Sequence, residues 1–244
     1  MTDPLAPLLE LPGVLDAVRD AREAVDQVHA HPANRRGWPA TAAEASVRAA
    51  RASAALDGGS AAIPSGGSVS DPILAGALRI AESIGPLLPV WQRSPLQALA
   101  RLHVLAAADL APEDALGRPR SARGVSGRLD LLARLVAGGT AVPGPILVAV
   151  VHGELLTLAP FEGANGVVAR AAARLTAIGT GLDPKGLTIP EVFHLRHTDH
   201  YRSALEGFAT GDRAAVAAWL LLCCESFQAG AREATSIADA ALTP

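Results

Sequence analysis

The chain has 244 residues, enough for one large domain with a substantial core. Its formal net charge is −3 and no basic tract interrupts it, which excludes the cationic footprint that non-specific nucleic-acid binding requires. Hydrophobic residues make up 50% and aromatic residues only 3%, and much of the apolar share is alanine, the strongest helix former.

The predicted elements are helical throughout. Residues 11–32, LPGVLDAVRDAREAVDQVHAHP, set Val14, Leu15, Val18, Ala21, Val25 and Val28 on one face, an amphipathic helix stopped before Pro32. TAAEASVRAARASAALDGG is a second helix, capped near Thr41 and ended by Gly58–Gly59. Residues 57–72, DGGSAAIPSGGSVSDP, read as the clearest loop. Further helices are predicted at about 72–84, 94–110, 126–138, 143–158, 166–179, 198–209 and 213–241. No run alternates with a period of two for long enough to be a strand. The pattern predicts one all-α domain, with residues 1–72 as a helical N-terminal extension and residues 73–244 as the core.

Cys223 and Cys224 are adjacent within AAVAAWLLLCCESF, which reads as a buried helix. Helical neighbours point about 100° apart and do not bridge, so the pair reads as core packing in a reducing, cytoplasmic setting. Trp219 and Phe227, eight apart, fall on the same buried stripe. MTDPLAPLLELPG carries acids and no basic segment, unlike a secretory signal. Mean hydropathy is +0.27, yet the longest fully apolar run, Ala214–Cys224, is well short of the roughly 20 residues that span a bilayer; no membrane partner is expected. HLRHTDH offers His194, His197 and His200, but on a helix the outer two stand about 120° apart and cannot converge on a metal. They read as polar surface at a helix start. No GxGxxG, GxSxG or HExxH is present.

The informative stretch is LAPFEGANGVVAR, residues 158–170. Gly163, Ala164, Asn165 and Gly166 form a small-residue turn that runs straight into a helix, with Arg170 and Arg174 one turn apart behind it. Free N–H groups at a helix start beside a guanidinium are the ingredients of an anion site. The stretch resembles the core of the Fic family, whose signature is HPFx[DE]GNGRxxR. Pro160, Phe161, Asn165, Gly166 and Arg170 match it. His152, Leu155 and Leu158 fit the family's lead-in helix, and HTDHYRSALEGFATGDRAAVAAWL resembles the helix pair that follows the signature. SAALDG, residues 53–58, resembles the family's inhibitory helix [ST]xxxEG, with Ser53 and Gly58 matching and Asp57 where glutamate is usual.

The resemblance implies a Fic-like helical fold and, in an intact member, transfer of AMP from ATP and magnesium to a hydroxyl of a target protein. It also implies which roles this chain has lost. Ala159 stands at the general-base histidine, Gly163 at the magnesium carboxylate, Ala164 at the first glycine and Val167 at the first arginine. General-base catalysis alone is typically worth ~10²–10⁴-fold. His152 is seven residues before Ala159, about 10 Å along the helix axis, too far to abstract the proton directly, so it reads as a structural histidine. GRPR, residues 117–120, leads almost at once into the helix GRLDLLARLV, leaving no room for the hairpin that pairs with targets in the family. The expectation is a degenerate Fic-like protein with no catalytic residue, no metal and no cofactor. A nucleotide- or phosphate-pocket-like remnant is expected at Asn165, Gly166 and Arg170, closed by Ser53, Asp57 and Gly58, in a protein that binds another protein. The alternative is an atypical ATP- and magnesium-dependent adenylyltransferase using Glu162 or His152 in a relocated role.

Overall fold

The computed structural model describes residues 3–63 and 67–242. Residues 64–66 of the predicted 57–72 loop lie outside the described residues. Among the described residues there is no strand. Eleven α-helices among the described residues carry the fold: α1 Val14–Ala30, α2 Pro32–Arg36, α3 Trp38–Leu56, α4 Pro72–Arg93, α5 Pro95–Ala107, α6 Val125–Arg134, α7 Gly144–Leu158, α8 Asn165–Gly179, α9 Pro190–Arg196, α10 Thr198–Thr210 and α11 Arg213–Ala240.

Helix α7 is the axis of the fold. Every residue from Pro145 to Gly153 is buried, which is why its sequence is apolar on all sides instead of in a stripe. Its main partner is α8, which α4 and α5 cover in turn, in a core that joins Leu74, Trp91, Leu102, Leu155 and Leu175. On the other flank α10 and α11 pack through Trp219 and Leu220, and α1 lies on α11 through Val14, Val18 and Val25. The Trp219 ring nitrogen donates to the Ala149 carbonyl at 2.9 Å, and Phe227 is buried on the same helix, as the stripe predicts. Glycines permit the closest crossings. A Cβ on Gly153 would sit 2.7 Å from Phe208 and 2.8 Å from the Trp219 indole nitrogen.

Three helices depart from the sequence reading. Pro32 ends α1 but also opens α2, because proline fits the first helical position, where no N–H is needed. Helix α4 does not stop near 84. It continues through Pro86 and Pro89, both exposed, so water can satisfy the carbonyls whose partners the prolines removed, while Leu87 and Trp91 are buried on the inner face. Trp91 also donates its ring N–H to the Thr176 hydroxyl at 3.2 Å. Helix α9 is the third, a seven-residue helix opened by Pro190 where the sequence predicts none.

Helices α4 and α11 are long and apolar enough to cross a membrane, by length and composition, each with a mean hydropathy of 1.4 over its most apolar window. In α11 that window is 56% buried within the fold, and in α4 28%.

Candidate functional site between α3, α7 and α8

Helix α7 ends at Ala159, and the chain then makes a tight turn through Pro160–Gly163 into α8. The turn is built by left-handed backbone at three positions: Ala159 (φ 41°), Gly163 (φ 77°) and Ala164 (φ 52°). Glycine takes this conformation freely, whereas alanine is strained in it. Asn165 clips the turn shut. Its side-chain oxygen accepts from the Phe161 N–H and its amide donates to the Phe161 carbonyl, both at 2.9 Å. Phe161 is thereby held inward, 3% exposed, stacked on His103 with ring centroids 4.4 Å apart.

Two further contacts fix the turn from outside. His103 is fully buried on α5; its Nδ1 accepts from the Gly117 N–H at 2.9 Å, which leaves Nε2 to donate to the Glu162 carbonyl at 3.2 Å. Burial holds its pKa below the usual imidazole value. Arg120, in the loop before α6, gives its backbone N–H to the Pro160 carbonyl at 2.7 Å and its guanidinium to the Leu158 and Ala159 carbonyls at 3.1 and 2.9 Å. A cation on the open carbonyls at a helix C-terminus complements the helix dipole.

The C-terminus of α3 meets the N-terminus of α8 here, and two opposite charges settle both ends. Arg170 is 4% exposed. Its Nε donates to the Ser53 hydroxyl at 2.7 Å, and its Nη2 to the Ser53 carbonyl at 2.9 Å and to Asp57 Oδ1 at 2.6 Å. The other carboxylate oxygen, Oδ2, accepts from the Val167 N–H at 3.0 Å, one of the free donors at the start of α8. A negative charge on a helix N-terminus and a positive one on a helix C-terminus are each favoured by the dipoles. Burial works against the Arg170 charge, but Asp57 overrides it and the pKa is raised. Gly166 allows the approach: a Cβ there would stand 2.2 and 2.4 Å from the two Asp57 oxygens. Gly58 (φ 87°) follows in the left-handed conformation that terminates α3. Ser53, Asp57, Gly166 and Arg170 therefore converge on one cluster, with the Asp57 carboxylate on the helix terminus and Gly58 ending α3 beside it, whereas Asn165 closes on Phe161 instead.

The remaining predicted residues fall elsewhere. His152 is buried, with Nε2 2.8 Å from the Tyr201 hydroxyl, and burial, His194 and Arg170 together push its pKa well down. Its place is structural, as its position in the helix predicts. His194 corrects the polar-surface reading of HLRHTDH. It is 2% exposed, stacked on Tyr201 at 4.4 Å, and burial pushes its pKa down to about 3. The reason is α9, whose inner face carries it; His197 and His200 are exposed, and the three do not converge. The side chain of Glu162 points from an exposed turn. Among the described residues no group of three or more His, Cys, Asp or Glu is placed to hold a metal. Cys223 and Cys224 are buried free thiols, and burial raises both pKa values, that of Cys224 to about 12.

Sequence reasoning missed His103, Arg120 as a clamp, Tyr201 as the partner of His152, and the buried Arg174–Glu191 pair at 3.3 Å. The only local signals are a lone histidine on an apolar helix and an acid directly after Pro190; neither names its partner.

No family model and no curated protein matches the chain. Solved structures do. A Fic family protein from Desulfovibrio desulfuricans superimposes with a TM-score of 0.71 at 21% identity, covering 92% of this chain and 74% of that one. Fic-1 from C. elegans does so in two structures, at TM-scores of 0.70 and 0.66 and 16% identity, over 91% and 92% of this chain and 72% and 71% of theirs. At these identities the likeness is one of fold: this is an all-α protein with the Fic fold.

Proposed function

We propose that the chain is a catalytically degenerate Fic-like protein that lacks adenylyltransferase activity and works by binding another protein, in a regulatory or scaffolding role in the cytoplasm. One observation supports the reading: the chain's own Asp57 carboxylate occupies the α8 N-terminus, held there by Arg170. The chemistry of the turn points the same way. Ala159, at the position resembling the general base, has no proton to exchange, and its carbonyl is engaged by Arg120. Gly163 offers no ligand for magnesium, and Glu162 is the turn's single carboxylate. The donor set does not fit a nucleotide-bound magnesium. Asn165 serves the turn itself, by closing on Phe161.

The test is AMP incorporation from labelled ATP and magnesium, into the protein itself or into added lysate proteins. We expect none from the native chain and none from Asp57→Ala, which frees Arg170. Incorporation that disappears in Arg170→Ala would establish the adenylyltransferase alternative. A thermal-shift scan with ATP, ADP and magnesium is expected to be flat for the native chain, because the carboxylate must leave before a phosphate can bind.

A further inference from the structure

Helices α7, α8, α9 and α11 border a cavity of about 30 Å³, separate from the turn. Its polar lining includes His152, Arg174, Glu191, His194 and Ser226. Most of these groups are already engaged. Arg174 donates to the Gly186 and Thr188 carbonyls at 3.1 and 3.0 Å and to Glu191. The Ser226 hydroxyl donates to the Cys223 carbonyl at 2.7 Å and keeps its lone pairs free to accept. His194 is the exception: its Nδ1 is buried with no hydrogen-bond partner in the protein. A buried polar nitrogen left unpaired carries its full desolvation penalty, and native interiors meet that need with a second polar group or a bound water.

The charges of the lining select the ligand. A cavity needs roughly 10–15 Å³ to take one water, so this one has room for a bound water. An anion would meet Glu191 and Asp183 in the lining, and a cation would meet Arg170 and Arg174. A neutral molecule that both donates and accepts suits every group present. We infer that this cavity is an internal hydration site, in which a buried water hydrogen-bonds His194 Nδ1 and bridges it to the Ser226 hydroxyl and the Glu191 carboxylate. Such a water supplies the two to four polar partners typical of conserved internal waters. It adds a polar link between α9 and α11, which already pack against each other.

Two measurements on the native chain decide the matter. A crystal structure showing ordered waters should place a peak about 2.7–3.2 Å from His194 Nδ1. In solution, the His194 ring protons should show a nuclear Overhauser contact with long-lived water. Absence of the crystallographic peak, or a protein atom found bonded to Nδ1, overturns the inference. His194→Phe removes the nitrogen and fills the space. It should abolish both signals and lower Tm by a few degrees, whereas a rise in Tm would mark a dry cavity and overturn it too.

Discussion

A single carboxylate decides how the candidate site is closed. Asp57 holds a buried guanidinium with one oxygen and a helix N-terminus with the other. Removing one partner of a buried pair leaves an uncompensated charge and costs about 3–5 kcal/mol. With its side chain 24% exposed, water recovers part of that for Asp57. Asp57→Ala is therefore expected to lower stability by about 2–3 kcal/mol in urea denaturation. Gly166→Ala should cost a comparable amount, about 1–3 kcal/mol, while leaving every charge in place, since its methyl would push the carboxylate off α8. If Gly166→Ala proves neutral, the Asp57 contact is not the one that holds α3 on α8. The turn holds the opposite lever. Ala159 and Ala164 sit in left-handed backbone without a compensating glycine. Ala159→Gly and Ala164→Gly are each expected to stabilise by about 0.5–1 kcal/mol, less than the full strain because glycine also frees the unfolded chain.

Between elements, the fold depends on positions where backbones touch. A Cβ on Gly230 of α11 would lie 2.7 Å from the Ile189 carbonyl carbon and the Pro190 nitrogen, where the chain enters α9. Backbone cannot rotate away, so Gly230→Ala should cost about 1–3 kcal/mol and loosen α9 first. Hydrogen exchange in 190–196 should rise ahead of that in α7; uniform protection would sink the claim. How far such contacts can be read from sequence differs by element. Helices α7, α8, α10 and α11 lie within two residues of their predicted bounds, because each is a sustained run with a clear breaker at its end. Helix α4 outruns its prediction, because the cost of a proline depends on whether the freed carbonyls reach water, a tertiary fact. Helix α9 escapes because seven residues carry too little periodicity to register. At the site, Ser53, Asp57 and Arg170 were legible together only through a motif resemblance, since nothing local in SAALDG tells Asp57 that its partner is 113 residues away. His103 and Glu191 had no such motif behind them and stayed hidden.

Across the whole molecule, the buried histidines set an acid limit. His152 and His194 lie in the interior near the Arg170 charge, and both are held neutral well below the usual imidazole pKa of 6.5, His194 down to about 3. Above pH 6.5 neither is protonated in either state, so they leave stability unchanged. Below it the unfolded chain takes up protons that the folded chain refuses, and stability falls as pH falls, by up to about 1.4 kcal/mol per pH unit for each histidine. Asp183 adds to the same trend lower down: burial opposes its charge, but His29, Thr188 and two backbone N–H groups outweigh burial and depress its pKa, so its contribution is lost below the ordinary aspartate range. From pH 6.5 to 4.5 His194 alone removes about 2 kcal/mol, and His152 adds to the loss in the same direction. Stability is therefore expected to fall steadily from pH 6.5 towards 4.5, before most carboxylates titrate. Urea midpoints at half-unit pH steps measure the slope. His194→Gln, which removes one of the titrating groups, should lower the slope between pH 6 and 5 by about 1 kcal/mol per pH unit; an unchanged slope would show that this imidazole does not contribute to the limit.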